Sequence, residues 1–270
     1  MKKVSVIVLS YKSSYTIVQT LDSIKKQTYS NIELIITDDC STDNTLVIIN
    51  KWIADNQGCL NEIKLVTAEQ NTGIPGNINR AMKHVTGDYI KLIAADDYMS
   101  PDAIEEYVAF SEQNAGQLPI AKVHLFSESG HIDEAVQMYC DRCYAFAQLS
   151  RKEQYSQLLI QNRIVAPSAS FYPTQLIRQV GGYDEHFKWF EDYPMNLKVM
   201  HEGFGFGLIN KELVYYRQSD NSITATQMKR LKKTEMMLFF RIKMGYMIQN
   251  GMAWEALKQS RSWIKIALQR

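Results

Sequence analysis

The sequence predicts an α/β fold in which a mostly parallel, Rossmann-like sheet is flanked by helices and followed by a helical C-terminal extension. In the first hundred residues, four short apolar runs alternate with three stretches at helical spacing, an order typical of a doubly wound sheet. The runs are rich in Val, Ile and Leu with little polar alternation, which indicates strands buried on both faces. From residue 226 onward, Met, Lys and aromatic residues recur at helical spacing, which predicts the extension.

The elements of the first hundred residues follow from their residue types. The run Val4–Leu9 is short, β-branched and nearly continuous, as a buried strand would be. A helix is expected at 13–27, where three aliphatic residues share one face. The stretch 41–56 opens with Ser, Thr and Asp, which cap helices well, and continues as an amphipathic helix. The remaining expected elements are strands at 32–37, 63–68 and 88–95, and a loop entering a helix at 71–85.

The pattern is weaker beyond residue 100, and no internal repeat is visible there. The expected elements are a helix at 101–114, a strand at 121–126, a hairpin or loop at 127–145, a helix at 151–163, a loop feeding a helix at 181–203 and a strand within 205–218.

Charge is unevenly distributed along the 270 residues. The formal net charge is +1, but residues 226–270 carry ten Lys and Arg against two Glu, so the rest of the chain stands at −7. A basic tail rich in Met and aromatic residues suits an anionic membrane surface. Two other interpretations of 226–270 stay open, namely packing against the rest of the chain and a homodimer contact. Nucleic acid is not expected as a partner.

Cysteine usage and the length of apolar runs bear on the compartment. Cys140 and Cys143 have metal or redox spacing, but neither a second pair nor a nearby His completes a zinc site, so plain thiols are expected. Lys2 and Lys3 precede an apolar run of only six residues, and nothing approaches the roughly 18 apolar residues of a membrane span. We therefore expect a cytoplasmic protein, with the tail as a candidate for peripheral contact at the inner face of the cell membrane.

Two pairs of carboxylates follow two of the predicted strands. Asp38-Asp39 ends the second strand and Asp96-Asp97 ends the fourth. Ligands of open α/β sheets bind beyond the carboxyl ends of the strands, and like charges gathered there need a cation or donor to compensate them. Mg²⁺ or Mn²⁺ held against a diphosphate is the natural compensator. The alternative is structural, because Asp is common at helix N-caps and residues 100–102 are typical of a helix start.

Three sequence blocks resemble a known family. They are VSVIVLSYKSSYTIVQTLDSIKKQTYSNIELIITDDCSTDNT, NTGIPGNINRAMKHVTGDYIKLIAADD and GGYDEHFKWFEDYPMNLKV. In order and spacing they resemble family 2 glycosyltransferases, whose catalytic domain has the GT-A fold, over roughly residues 3–220. The resemblance implies an inverting transfer of sugar from a nucleotide-sugar donor, above all a UDP-sugar, to a hydroxyl of a glycan or lipid-linked saccharide acceptor, as in bacterial surface polysaccharide synthesis.

The resemblance also implies a division of the chain. Residues 1–220 would form the GT-A catalytic domain, with 1–100 as its nucleotide-binding half and 101–220 as its acceptor-binding half. Residues 221–270 would form the basic, amphipathic helical extension.

Roles at the donor follow from the same resemblance. Asp39 is similar to the family Asp that accepts a hydrogen bond from the uracil ring N–H, a role that suits a carboxylate. Asp96 would approach the ribose and the metal ion, Mn²⁺ or Mg²⁺, and Asp97 would ligate that ion. Arg217 could offset diphosphate charge. The other residues that the resemblance places at the nucleotide sugar are Ser10, Tyr11, Asn79, Arg80 and Glu191.

Asp192 resembles the family's general base, which would take the proton of the acceptor hydroxyl. The alternative is that Glu191-Asp192 is only the acidic first turn of a helix. The sequence departs from the family at two positions. Ala94 replaces the first acid of an Asp-X-Asp-Asp stretch, and Ser219 stands where a His often supplies a metal ligand. Fewer protein oxygens and nitrogens are therefore available to a metal ion.

Two alternatives to this enzyme stay open. Ala94 and Ser219 favour a catalytically inactive nucleotide-sugar-binding module, whereas the retained Asp39, Asp97 and Asp192 argue against it. The second alternative is another nucleotide-dependent transferase on a similar sheet. A dinucleotide dehydrogenase is disfavoured, because Ser-Tyr-Lys-Ser-Ser follows the first strand where such an enzyme has Gly-X-Gly-X-X-Gly.

Overall fold

The computed structural model describes residues 1–165, 169–188, 191–218 and 233–260, which form two sheets and the helices around them. The strands are β1 (Val4–Ser10), β2 (Ile32–Asp38), β3 (Glu62–Thr67), β4 (Tyr89–Ala94), β5 (Tyr98–Met99), β6 (Gln117–Phe126), β7 (Phe171–Pro173) and β8 (Gly205–Arg217). The helices are α1 (Ile17–Lys25), α2 (Thr45–Asp55), α3 (Gly73–Met82), α4 (Ala103–Gln113), α5 (Glu134–Ala147), α6 (Arg151–Leu158), α7 (Thr174–Gln179), α8 (Asp192–His201) and α9 (Lys233–Gln249). A further helix, α10, covers 253–260.

The larger sheet confirms the predicted α/β fold. Its order is β3-β2-β1-β4-β7, and every pairing is parallel except that of β7 with β4. Strands β1, β2 and β4 are almost wholly buried, as their continuous apolar runs predicted. Ser10 pairs with Asp38 and Leu9 with Ala94, so these three strands end level with one another. The acidic pairs that follow β2 and β4 therefore share one edge of the sheet.

A smaller sheet, in the order β5-β8-β6, begins directly after the second acidic pair. Tyr98 of β5 pairs with Tyr215 of β8, and their rings stack with centroids 4.5 Å apart. Strands β6 and β8 are parallel, with a register irregularity at Ala121 and Lys122. Because β5 joins the second sheet and β7 joins the first, both sheets cross the predicted boundary at residue 100. The assignment of nucleotide and acceptor binding to separate halves stays a prediction.

The prediction of a hairpin or loop at 127–145 is wrong, because most of that stretch belongs to helix α5. Asp133 caps this helix by accepting a backbone N–H at 2.8 Å. The helical spacing is visible once Cys140 and Cys143 count as apolar residues, and both are fully buried. Burial raises the pKa of Cys140 to about 11 and that of Cys143 to about 12. They are unreactive core thiols, as expected.

A buried carboxylate ties together the amino ends of the central strands. Glu33 of β2 has no exposed surface. Its hydrogen-bond donors come from two neighbouring segments. At the start of β1 these are the Ser5 hydroxyl and the Lys3 ammonium at 2.9 Å, and before β4 they are the Thr86 N–H at 2.7 Å, the Thr86 hydroxyl at 2.6 Å and the Gly87 N–H at 3.1 Å. Burial alone would raise the pKa of Glu33, but these donors outweigh it and lower the pKa to about 2.

We expect Glu33 to contribute about 3 kcal/mol to the free energy of unfolding at neutral pH, a contribution lost as the pH falls from about 4.5 to about 2. Acid lowers the stability because the pKa of Glu33 is lower in the folded state than in the unfolded chain. As the pH falls, the unfolded chain is therefore protonated first. Denaturant unfolding at a series of pH values measures the loss.

Glu33→Gln should remove this part of the acid dependence. Glu62→Gln is the matched control and should keep it, because Glu62 also meets Lys3 but is 43% exposed. An equal acid dependence in Glu33→Gln and the unmodified chain would contradict the assignment.

Helix α9 packs against α8 and the segment before it. Phe239 is buried beside Tyr193 and Phe187, with ring centroids 4.8 and 6.1 Å away. Lys243 is also buried and donates to the carbonyl of Ile160 at 2.7 Å. The described part of the extension thus packs on the rest of the chain, one of its three interpretations, while the membrane and homodimer contacts stay predictions.

Part of the predicted tail, together with Ser219, lies outside the described residues, which omit 219–232 and 261–270. Within the described ranges, no helix combines the length and the apolar character needed to cross a membrane.

Candidate active site

The edge where β1, β2 and β4 end holds most of the predicted donor residues; we call Ser10, Asp39, Asp96 and Asp97 the acidic rim. Ser10 donates its hydroxyl to Asp38 Oδ2 at 3.0 Å. Asp38 is fully buried and also accepts the backbone N–H and hydroxyl of Ser41 at 2.8 and 2.6 Å, so it braces the rim from within. Tyr11 leaves the strand and is 40% exposed, so its ring is accessible to a nucleobase.

Asp39 caps helix α3. Its carboxylate accepts the N–H and the hydroxyl of Thr72 at 3.0 and 2.7 Å and the N–H of Gly73 at 2.8 Å. Arg80 Nη2 completes the set with an ion pair of 3.0 Å to Oδ1. The cap is favourable because a helix N-terminus attracts negative charge. A uracil N–H would have to share an oxygen that already has donors, and that role of Asp39 stays a prediction.

Asn79 holds a turn of the chain more than a hundred residues away. Its amide nitrogen donates to the Tyr183 carbonyl and to Glu185 Oε1, both at 2.8 Å, and its oxygen accepts the Tyr183 N–H at 2.9 Å. These bonds fasten the turn at 182–185 to α3. The predicted nucleotide contacts of Asn79 and Arg80 stay predictions, and the amide of Asn79 is already engaged by the turn.

Asp97 is fully buried in the connection between β4 and β5. Its Oδ1 accepts the N–H of Arg217 at 2.9 Å. Burial, followed by the charge of Asp96, raises the pKa of Asp97 well above its usual range, and the positive charge of Lys91 opposes that rise. Lys91 is itself fully buried, donates to Ser170 Oγ at 3.0 Å, and has its pKa lowered by burial to about 7. A cation that reached the acid pair would relieve its repulsion.

The side chain of Asp96 reaches solvent, unlike that of Asp97. The surrounding protein still removes part of its hydration and raises its pKa. Arg217 covers this corner with a side chain only 9% exposed. Its Nε donates to the Asp96 carbonyl at 2.9 Å, and its guanidinium lies 4.6 Å from the centre of the Phe126 ring. The remaining guanidinium nitrogens contact Glu128 and Gln19. A guanidinium fixed in this way can offset diphosphate charge.

Asp96 and Asp97 fit a divalent cation as part of a shared coordination sphere. Their hard carboxylate oxygens are the ligands that Mg²⁺ and Mn²⁺ prefer. Among the described residues, however, no three Asp, Glu, His or Cys side chains are grouped closely enough to hold a metal ion, and Ala94 contributes no side-chain oxygen. The two acids therefore suit an ion whose other ligands come from a diphosphate and water.

Glu191 and Asp192 lie at the start of α8. Asp192 Oδ1 accepts the N–H of Tyr193 at 2.7 Å, and Oδ2 accepts the side-chain amide of Asn162 at 3.0 Å. Burial raises the pKa of Asp192. Burial and the charge of Asp192 raise the pKa of Glu191 to about 8. A carboxylate held in one orientation with a raised pKa is suited to accept a proton near neutral pH.

The loop at 182–188, which precedes α8, is attached to the start of helix α3, next to Asp39 of the acidic rim. The N–H of Ile74 donates to the Lys188 carbonyl at 3.0 Å. Gly73 has a φ of +80°, and a Cβ there would lie 2.5 Å from the same carbonyl oxygen, so a larger residue would displace the loop. Because the N–H of Gly73 also binds Asp39, the loop is fixed directly beside the rim.

Four residues of this region were not predicted. Lys91 had a signal, because its charge interrupts the apolar run at 89–95. Gln19, Glu128 and Asn162 had none, since polar residues in helices and loops are ordinary. Only folding brings the first two to Arg217 and the third to Asp192.

Comparisons with known proteins identify the family of the chain and proteins that share its fold. The family described as "Glycosyl transferase family 2" matches residues 5–181. TarS of Staphylococcus aureus, a poly(ribitol-phosphate) beta-N-acetylglucosaminyltransferase, is 33% identical over 126 residues, which cover 46% of this chain and 21% of TarS. WfaP of Escherichia coli, a UDP-Glc:alpha-D-GlcNAc-diphosphoundecaprenol beta-1,3-glucosyltransferase, is 28% identical over 238 residues, which cover 86% of this chain and 83% of WfaP.

Two solved structures share the fold. S. aureus TarS 1-349 in complex with UDP-GlcNAc has a TM-score of 0.69 at 21% identity, covering 90% of this chain and 65% of that one. The mannosyltransferase PcManGT from Pyrobaculum calidifontis, in complex with GDP-Man and Mn²⁺, has a TM-score of 0.64 at 18% identity, covering 85% and 61%. The chain spans only 39% of a 38%-identical Bacillus subtilis relative and 21% of TarS.

Proposed function

The chain belongs to glycosyl transferase family 2, and from that premise we propose that it transfers a sugar from a UDP-sugar to a hydroxyl of a glycan or lipid-linked saccharide, with inversion. One observation carries the proposal. The loop at 182–188 is bonded to Ile74, whose neighbour Gly73 bonds Asp39 of the acidic rim, and it precedes Asp192, an oriented carboxylate with a raised pKa. A diphosphate site and a proton acceptor would thus be neighbours.

The donor side rests on the acidic rim and on Arg217. Tyr11 would border the nucleobase with its exposed ring, and Asp39 with Arg80 would shape the pocket beside it. Arg217 would offset charge on the diphosphate. We choose UDP because a carboxylate at position 39 suits the uracil N–H, and because TarS has been solved with UDP-GlcNAc and WfaP is named for UDP-Glc.

The chemical step is a single displacement. The acceptor oxygen forms a bond to the anomeric carbon while its proton passes to Asp192. The bond from that carbon to the diphosphate oxygen breaks on the opposite face, and its electron pair leaves with the nucleoside diphosphate. An α-linked donor therefore gives a β-linked product. A positioned base contributes about 10²–10⁴-fold to such a step, and the bonds from Asn162 and Tyr193 hold the carboxylate in place.

A divalent cation, Mn²⁺ or Mg²⁺, would supply positive charge to the leaving diphosphate when bound. Asp96 and Asp97 are the residues that would hold it. PcManGT, which shares the fold, has been solved with Mn²⁺. Because Ala94 provides no third acid, we expect Arg217 to bear an unusually large share of the charge stabilisation.

An acceptor in bacterial surface polysaccharide synthesis is the class we propose. WfaP is named for a diphosphoundecaprenol-linked saccharide. On the extension, Met237, Ile248 and Trp254 are more than half exposed, and the neighbouring basic residues Arg241 and Lys258 are exposed too. This mixture supports contact with an anionic membrane surface at which a lipid-linked acceptor would be available. A cytoplasmic location stays a prediction.

Incubation with a panel of nucleotide sugars tests the proposal. We expect UDP and one UDP-sugar to raise the melting temperature in the presence of Mn²⁺, by mass action on the folded state, and that UDP-sugar to release UDP when a saccharide acceptor is added. GDP- and CMP-sugars serve as controls. Stabilisation without UDP release would instead support a catalytically inactive nucleotide-sugar-binding module, and the absence of both effects would overturn the proposal.

A further inference from the structure

Two buried oxygens beside Asp192 accept no hydrogen bond from any residue that the structure describes. Asn162 uses its amide nitrogen to bond Asp192 at 3.0 Å, but its Oδ1 is buried and, within the described ranges, accepts nothing. Glu191 Oε2 is buried and unsatisfied in the same sense. Both residues flank Asp192, one through the hydrogen bond and the other through the peptide bond.

These unsatisfied oxygens need an explanation. A buried acceptor without a partner costs a full desolvation penalty, and folded proteins leave few of them. The backbone segment that carries Asn162 is held in place by hydrogen bonds. Three side chains from separate helices donate to backbone carbonyls of the segment around it: Tyr193 to Leu158 at 2.5 Å, Lys243 to Ile160 at 2.7 Å, and Tyr139 to Ile164 at 3.1 Å.

We propose that Asn162 is a positioning residue for Asp192 and that its Oδ1, together with Glu191 Oε2, receives two hydroxyl groups of the saccharide acceptor. The inference rests on the proposed function and names a recognition site within it. Both polar atoms of the Asn162 amide would then have a role. Its N–H holds the base Asp192, and its oxygen accepts a hydrogen bond from the acceptor saccharide, which Asp192 deprotonates at another hydroxyl.

The chemistry of the two oxygens selects the class of ligand. Asn162 Oδ1 can only accept a hydrogen bond, whereas the Glu191 carboxyl accepts one when ionised and donates one when protonated. The ligand must therefore offer groups that can both donate and accept, as hydroxyls do. A phosphate would bring further acceptors and negative charge toward Asp192, which is unfavourable. Neighbouring hydroxyls of a sugar ring supply two neutral donors at short spacing. We therefore infer that the acceptor presents a neutral sugar residue to Asp192, with any phosphate or lipid farther along the molecule.

Asn162→Ala in the full chain tests both roles. The probes are UDP-glucose and UDP-GlcNAc with Mn²⁺, and the acceptors are an alkyl α-GlcNAc diphosphate, a methyl glycoside and water. On whichever acceptor the unmodified chain uses, we expect kcat to fall by about 10- to 100-fold, as for a misplaced catalytic group. For a saccharide acceptor, KM should rise roughly three- to tenfold through the lost hydrogen bond. Binding of UDP should not change.

Two further variants separate positioning from folding. Gln161→Ala is the matched control, since its side chain is exposed one position away, and it should behave like the unmodified chain. Asn162→Gln keeps both amide atoms one carbon farther from the backbone and should recover part of kcat. A Gln variant no better than Asn162→Ala, or equal losses of UDP binding and transfer in Asn162→Ala, would indicate a structural role and overturn the inference.

The outcomes also distinguish this inference from the proposed function. If the unmodified chain neither binds UDP nor uses either donor, the proposed function fails and this inference fails with it. If the unmodified chain transfers sugar and Asn162→Ala matches it in kcat and in acceptor KM, only this inference fails.

Discussion

Replacement of Asp192 by asparagine is expected to slow sugar transfer by about 10²–10⁴-fold while leaving UDP binding unchanged. Asparagine has nearly the same shape, and its oxygen can still accept the Tyr193 N–H. A neutral amide cannot take the proton of the acceptor hydroxyl, so the loss should fall on kcat. Product formation at saturating donor measures the rate, and titration calorimetry with UDP measures binding.

Asp184→Asn is the matched control for this change. Asp184 lies in the loop at 182–188, where its carboxylate bonds the side chain of His186 at 2.7 Å, and we assign it no role in donor binding or proton transfer. We expect that variant to keep most of its transfer rate. Full transfer in Asp192→Asn would show that the base lies elsewhere, and a parallel loss of UDP binding would indicate damage to the fold.

The pH dependence of transfer provides a second measurement of the same base. Burial raises the pKa of Asp192. As the pH is lowered, the transfer rate should therefore begin to fall at a higher pH than it would for an ordinary Asp, because the base becomes protonated. Burial and the charge of Asp192 raise the pKa of Glu191 as well, to about 8. Neighbouring carboxyls whose pKa values are separated can divide acid and base roles.

The larger sheet was predictable because its strands are continuous apolar runs separated by helical spacing. The observed β1, β2 and β4 begin and end within one residue of the runs that predicted them. Level strand ends then follow from parallel pairing, and so does the meeting of the two acidic pairs. By contrast, β5 has two residues and β7 has three. Segments this short show no periodicity in the sequence. They are strands only because they pair with longer strands.

The contacts that give the site its shape depend on tertiary structure. The amide of Asn79 bonds a residue 104 positions away, and the Arg217 N–H bonds Asp97 across 120 positions. No local pattern indicates either contact. The family resemblance supplied the candidate chemistry-bearing residues. The nucleotide contact that it implies for Asn79 stays a prediction, but it gave no sign that the amide of Asn79 bonds the turn at 182–185. Helix α5 was missed for a different reason, because its apolar pattern is weak unless Cys140 and Cys143 are counted as core positions.

Asp97→Asn is expected to remove the part of UDP binding that depends on Mn²⁺ and to slow transfer by at least about a hundredfold. The neutral amide of the variant would be a poor metal ligand. The variant keeps an oxygen that can accept the Arg217 N–H, so the local backbone should hold. Thermal unfolding measures the effect without activity: UDP with Mn²⁺ should stabilise the variant no more than UDP alone. Asp102→Asn is the control, since Asp102 pairs with Lys211 outside the rim and should keep the Mn²⁺ increment.

Asp97→Asn should also raise the stability of the ligand-free protein. This effect distinguishes the loss of an ion-binding site from general damage to the fold. Burial and the charge of Asp96 raise the pKa of Asp97 far above its value in the unfolded chain. Ionisation at neutral pH therefore costs the folded state more than the unfolded one, and a neutral asparagine avoids that cost. The gain should vanish in acid, below the unfolded pKa of Asp, where both forms are neutral. A lower melting temperature at neutral pH, or a Mn²⁺ increment equal to that of the unmodified chain, would show that residue 97 serves the fold and not the ion.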